Sequence, residues 1–237
     1  MAQRPYVFVN MAMTADGKID TVARRGARIS GPADTMRVDR LRASSDAILV
    51  GGRTLTAEDP RLTVRDDGLV AARVAEGRPA QPTKVGLLSR LAGSGPDAIP
   101  LDGRFVREGG GRVVVFTTSQ AEPDAVAGLE QAGVTVRVAG DKRVDLDHAF
   151  DTLSGVGIER LMVEGGSTIV ATLLAAGLVD ELQLAIAPLI FGGASAPTPV
   201  GGLGWAADKA LALQLVETST SADGDVIVRY LTERAAR

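Results

Sequence analysis

The chain has 237 residues, 45% of them apolar, and 26 Lys and Arg against 29 Asp and Glu give a formal net charge of −3. That is a globular profile with material for a sizeable core and no broad basic footprint for nucleic acid. It contains no cysteine and one histidine, His148, which removes disulfides, iron–sulfur clusters, thiolate nucleophiles and Cys/His zinc sites together, so no metal is expected.

Apolar β-branched runs alternate with helical patterns, which predicts α/β architecture with a mostly parallel central sheet. In chain order the expected strands are Tyr6 to Met13, Ala47 to Gly51, Lys84 to Ser89, Arg112 to Thr117, Val134 to Val138, Arg160 to Glu164 and Glu181 to Pro188. Helices are expected at Pro32 to Ala43, Pro123 to Ala132, Asp147 to Leu153 and Ser167 to Ala176. Pro32 sits just inside the first of these and Gly177 just past the last, the usual punctuation of helix ends. Leu211 to Thr218 and Asp225 to Leu231, joined by a Thr-Ser-Ala-Asp-Gly turn, predict an antiparallel C-terminal hairpin. Asp66 to Pro82 and Gly93 to Gly111 have the composition of surface excursions. A single domain over 1–237 accounts for the pattern. No run reaches the roughly 18 apolar residues of a membrane span and no signal-peptide pattern opens the chain, so a cytoplasmic protein with no membrane partner is expected.

Four segments carry possible chemistry. Leu161-Met-Val-Glu-Gly-Gly-Ser-Thr168 reads as a strand delivering Glu164 to a glycine turn, with Ser167 or Thr168 placed to cap the following helix. Such a turn holds a phosphate on free N–H groups, with Glu164 beside it to bind or protonate a polar substrate; an ordinary strand-to-helix turn is the alternative. Asn10 to Ile19 ends a strand at Asp16-Gly17-Lys18, either a plain turn or a place to set a cation and a proton donor. Leu49 to Val64 repeats the strand-to-glycine logic at Gly51 and Gly52, and two such turns suit a long ligand with several phosphates. Neither turn is G-x-G-x-x-G or a P-loop. Arg28, Arg42, Arg61 and Arg65, the last following a strand-like Leu62-Thr63-Val64 run, are candidate forks for a phosphate monoester, although any one of them is more often solvated. His148 falls in a solvated helix start.

Taken together, Met13 to Lys18, Arg37 to Gly51, Thr54 with Glu58-Asp-Pro-Arg-Leu-Thr-Val64, Val163 to Thr168, and Gly177 to Glu181 with Ala187 to Gly193 resemble the reductase family of riboflavin biosynthesis, especially its stand-alone archaeal-type members. The resemblance implies a dihydrofolate-reductase-like three-layer fold and NADPH-dependent reduction of the ribosyl group of a ribosylaminopyrimidine 5′-phosphate to a ribityl chain. It puts the cofactor along Ala12, Thr54, Glu58, Ser89, Gly165, Gly166, Ser167 and Thr168. The phosphorylated substrate would meet Arg28, Arg42, Leu62, Arg65 and Glu164, with Lys18, Asp16 and Glu164 as catalytic candidates and the choice among them open. Two positions depart from the family: Leu88 replaces an Asp before Ser89, and Glu58 stands where Asp is common. A homodimer is implied, and with no zinc-ligand cysteines any deamination is expected of another protein. The rival readings are a reductase of the same fold acting on another pterin or nucleotide-like substrate, and a non-catalytic nucleotide-binding module.

Overall fold

A computed structural model of the chain describes residues 4–233. In chain order its elements are β1 (Tyr6–Thr14), α1 (Pro32–Ala43), β2 (Ala47–Gly51), α2 (Gly52–Glu58), α3 (Asp67–Ala75), β3 (Thr83–Leu87), α4 (Arg104–Arg107), β4 (Val113–Thr117), α5 (Pro123–Gln131), β5 (Thr135–Val138), α6 (Leu146–Gly155), β6 (Arg160–Val163), α7 (Ser167–Ala175), β7 (Glu181–Ala187), β8 (Leu213–Thr220) and β9 (Val226–Thr232). The strands are mostly parallel, with an antiparallel C-terminal pair. The contacts divide the described residues into two compact units, 39–161 with 4–5, and 6–38 with 162–233.

In the first unit β5, β4, β3 and β2 lie side by side in that order, every pair parallel. All residues of β2 and β4 are buried. Their unbroken Ala-Ile-Leu-Val and Val-Val-Val-Phe runs are what a strand covered on both faces requires. In the second unit β1 pairs parallel with β7, β6 lies on the other side of β1, and β9 and β8 continue antiparallel beyond β7. Among the described residues no helix is long and apolar enough to cross a membrane.

Four helices end alike. In α3, α5, α6 and α7 a glycine with positive φ follows the cap: Gly77, Gly133, Gly157 and Gly177. In α7 the Gly177 N–H donates to Leu174 O at 3.0 Å and the Leu178 N–H to Leu173 O at 2.9 Å. Those paired bonds satisfy the last carbonyls, and only glycine takes the required backbone cheaply.

Three segments hold more than the expectation specified. Asp66 to Pro82 is a largely exposed excursion, and an ordered one: α3 forms there, its N-cap Asp66 accepting from Leu69 N at 2.9 Å. Its Arg73 is buried and donates to Ala43 O and Ser45 O at 2.6 and 2.7 Å, so the helix is tied down by the carbonyls that end α1. Gly93 to Gly111 likewise holds α4, anchored by the fully buried Phe105. Leu62-Thr63-Val64 is buried but not strand-like. The Gln81 side chain takes the place of a neighbouring strand, accepting from Val64 N at 2.8 Å and donating to Val64 O at 3.0 Å. Asp39 then accepts the N–H groups of Arg65 and Asp66, each at 2.8 Å, so the backbone is satisfied without a ladder.

Candidate active site

The second unit brings candidate site residues together at the ends of two neighbouring strands. β6 stops at Val163, so the half-buried Glu164 stands one residue beyond it. Gly165 follows with φ 106°, and a Cβ there would lie 3.0 Å from Met11 Sδ on β1. The positive φ is what demands glycine, and the turn lies close against Met11, the residue preceding Ala12. The peptide Gly165–Gly166 is cis. The N-cap of α7 is Gly166, with no side-chain cap bond, which corrects the expectation that Ser167 or Thr168 caps this helix. Both hydroxyl residues lie inside its first turn. An uncapped first turn leaves backbone donors for an anion, with the positive end of the helix dipole behind them.

At the end of β1 the Asp16-Gly17-Lys18 turn is tightly organised. Thr14 N donates to Lys18 O at 2.8 Å, and Lys18 N donates to Thr14 Oγ1 at 3.0 Å. The Asp16 carboxylate accepts from the Thr14 hydroxyl at 2.6 Å, from Gly192 N at 2.7 Å and from Phe191 N at 3.2 Å. The Thr14 bond is the chief cause, and the Gly192 and Phe191 bonds add to it against the opposing effect of burial, so that the Asp16 carboxyl is held below the ordinary carboxylate range. The Lys18 amino group has no bonding partner among the described residues. Thr14 was passed over in the sequence, although Thr-x-Asp-Gly-Lys is a spacing at which a hydroxyl and a carboxylate close on the same turn.

The first unit carries Arg42, Thr54, Glu58, Leu62, Arg65 and Ser89. Thr54 is buried and Glu58 exposed on α2, whose start packs on the end of β3: a Cβ at Gly52 would meet Leu88 Cβ at 2.7 Å. That contact brings α2 to Ser89. β3 ends at Leu87, two residues earlier than expected, so Ser89 lies in the following turn, its Oγ accepting from Val144 N at 3.2 Å and its carbonyl accepting from Thr118 Oγ1 at 2.8 Å. Arg90 beside Ser89 and Arg143 beside Val144 are exposed, and neither guanidinium has a partner among the described residues.

The arginines separate by environment. Arg42, half-buried, donates to Thr63 O at 3.0 Å. Arg61 is paired with Glu108. Arg65 is exposed, its backbone pinned by Asp39. Arg28, in the second unit, donates to Ser30 O at 3.2 Å. Leu62 is 2% exposed with φ 49°, so its side chain belongs to the core and only its backbone is available to a ligand. His148 is exposed on α6 and contributes to no cluster, and among the described residues no group of His, Cys, Asp and Glu is arranged to hold a metal ion.

Residues 5–228 match the family model described as the RibD C-terminal domain. The chain is 42% identical over 96% of its length to the 2,5-diamino-6-ribosylamino-4(3H)-pyrimidinone 5′-phosphate reductase of Methanothermobacter thermautotrophicus, of which it covers 98%. To the protein of the same name from Archaeoglobus fulgidus it is 39% identical, over 84% of this chain and 87% of that one. Among solved structures, RibD of Acinetobacter baumannii superposes with a TM-score of 0.77 at 25% identity, over 97% of this chain but only 58% of that one.

Proposed function

This chain belongs to the RibD C-terminal domain family, and on that premise we propose that it reduces the ribosyl group of a ribosylaminopyrimidine 5′-phosphate to its ribityl form in riboflavin biosynthesis, with NADPH as the reductant and residues 1–237 serving as one reductase domain. The observation that carries the reading is the turn at Glu164, Gly165 and Gly166. A carboxylate at a strand end, a glycine pressed against Met11 and an uncapped helix start together suit a phosphate-bearing cofactor with a polar substrate beside it.

The residues present fit that cofactor. Gly165, Gly166, Ser167 and Thr168 with Ala12 would hold it, and Thr54, Glu58 and Ser89 are the further cofactor positions that the family resemblance implies. The preference for NADPH over NADH is supported by Ser89: its Oγ already accepts from Val144 N, leaving the hydroxyl proton to donate, while Arg90 and Arg143 offer uncommitted guanidinium groups. A phosphate monoester on the adenosine ribose matches that set. When bound, the cofactor would supply hydride-transfer chemistry at the sugar C1′.

The protein's own work is to orient and to move a proton. The substrate's C1′–O4′ bond breaks as the glycosylamine nitrogen forms a double bond to C1′, and O4′ must take a proton. Lys18, whose amino group has no partner among the described residues, is assigned that donation. Glu164 is assigned to bind the substrate, and Arg42 and Arg65 to receive the 5′-phosphate. Holding the reacting atoms in line accounts for most of the rate, as expected where no metal or nucleophile takes part.

The surface of the second unit supports a homodimer: all eight residues of β8 are exposed, and Leu213, Leu215 and Val216 among them are apolar. The function is tested by following NADPH oxidation with the aminated and the deaminated ribosylaminopyrimidine phosphates side by side. Turnover of either, with the product carrying a ribityl chain, supports the reading. No oxidation with either removes it.

A further inference from the structure

Thr14 closes β1 and is fully buried, yet its hydroxyl sits at the centre of the turn that carries Lys18. A hydroxyl has one proton to give and two lone pairs to offer. The proton goes to Asp16 Oδ1 at 2.6 Å, and a lone pair receives Lys18 N–H at 3.0 Å. The carboxylate thereby fixes which way the hydroxyl points. Asp16 is itself held from the far side, Oδ2 accepting from Gly192 N at 2.7 Å and Oδ1 from Phe191 N at 3.2 Å. The segment supplying those donors is stitched to the same turn by Ala15 N to Leu189 O at 2.8 Å and Ile19 N to Pro197 O at 2.9 Å. Gly17, between the two acidic and basic residues, takes φ 76° with its N–H donating to Thr14 O at 2.8 Å.

We propose that Thr14 and Asp16 are positioning residues for Lys18: Asp16 orients the Thr14 hydroxyl, the hydroxyl holds the Lys18 backbone, and the Phe191 and Gly192 N–H groups keep Asp16 in place. This rests on the reading that Lys18 serves the reduction. Asp16 is then no proton donor. Both of its oxygens are committed, and its carboxyl, kept below the ordinary range chiefly by the Thr14 bond, has no proton to give at neutral pH. What the turn delivers is a lysine on a rigid mount, and a misplacement of about 1 Å at such a group is enough to lose roughly 10²-fold in rate.

The test separates the clamp from the function. In the ligand-free protein, amide hydrogen exchange of Lys18 and Gly192 is compared among the parent, Thr14→Val and Asp16→Asn. Thr14→Val keeps the side-chain shape and removes the hydroxyl, so Lys18 exchanges faster. Asp16→Asn retains one acceptor oxygen where two are in use, so either Lys18 or Gly192 loses protection. In turnover, Thr14→Val lowers kcat by roughly 10-fold or more, with the cofactor Kd and Tm near parent values, and Thr14→Ser, which restores the hydroxyl, recovers most of the loss. Parental kcat in Thr14→Val, equal losses in Thr14→Val and Thr14→Ser, or losses of kcat that only follow Tm overturn the proposal. A parent that reduces neither pyrimidine phosphate sinks the functional reading alone; the clamp is then judged by exchange, and Lys18 and Gly192 amides already unprotected in the parent overturn it.

Discussion

Glu164 stands one residue past β6 at the glycine turn, half-buried. A carboxylate in that place either meets the substrate or braces the turn, and Glu164→Gln distinguishes the two because it keeps size and hydrogen-bonding reach while removing charge. We expect kcat/KM to fall by roughly 10²-fold or more, with Tm and cofactor affinity unchanged; loss of stability and cofactor binding together makes Glu164 a brace. The arginines differ in how cleanly they report. Arg42→Ala also removes the bond to Thr63 O, whereas the Arg65 side chain is exposed and its backbone is held independently by Asp39. Arg65→Ala should therefore raise KM for the 5′-phosphorylated substrate by about 10-fold or more, the equivalent of a lost charge-assisted bond. If the phosphorylated and dephosphorylated substrates respond alike, the phosphate lies elsewhere. Arg143→Ala tests the cofactor reading in the same way: calorimetry should show weaker NADPH binding with NADH binding untouched, and equal affinities for the two cofactors in the parent would remove the selectivity.

At the scale of elements, what could be read from the sequence was whatever local chemistry decides. Pro32 and Gly177 bound their helices, and the Val-rich runs became buried parallel strands. What failed depended on partners distant in sequence. Leu62 to Val64 has a strand's composition, but Gln81, 17 positions on, satisfies Val64 from the side. α3 was hidden in a charged, glycine-bearing stretch, although Asp66 three residues before Leu69 is a capping signal. Ser167 and Thr168 are good caps by type, and Gly166 displaced them by taking the N-cap position one residue earlier. The candidate site was legible as motifs, but not its internal division of labour, since nothing local says that the Thr14 hydroxyl lies between Asp16 and Lys18. One further element-level arrangement sets a pH dependence. Glu181 on β7 is bonded by Arg229 of β9 at 3.1 Å, by Tyr6 of β1 at 2.8 Å and by Gln183 at 2.5 Å. Burial pushes its carboxyl up, but the bonds from Arg229, Tyr6 and Gln183 outweigh that and leave it below the ordinary range. A carboxyl depressed by folding stabilises the native state above its unfolded value of about 4.3 and loses that contribution as pH falls through the folded value. The urea midpoint should therefore drop more steeply below about pH 4.3 in the parent than in Glu181→Gln, and parallel curves would show that this cluster does not couple to folding.

For the whole molecule, the open question is what meets β8. It is the outermost strand of its unit, and all eight of its residues are exposed, with Leu213, Leu215 and Val216 apolar among them and Leu211 just before. An edge strand with apolar side chains is an invitation to pair, which proteins ordinarily blunt with lysine, proline or a bulge. β8 contains no lysine or proline. Its devices are the irregular register between Leu215 and Glu217 opposite β9 and the single charge of Glu217, which is already paired with Arg229, and neither covers the outer edge at Leu213 and Leu215. A second copy of the same strand would supply a self-complementary partner across a two-fold axis, the commonest symmetry among soluble oligomers. Light scattering at micromolar concentration should then give twice the monomer mass of 24.5 kDa. Leu215→Lys, placing a charge in the middle of the strand, should shift the population to monomer while leaving the far-ultraviolet circular dichroism unchanged. A parent that runs as a monomer, or a Leu215→Lys variant that stays dimeric with its affinity intact, would place the contact on another surface and leave β8 an ordinary solvated edge.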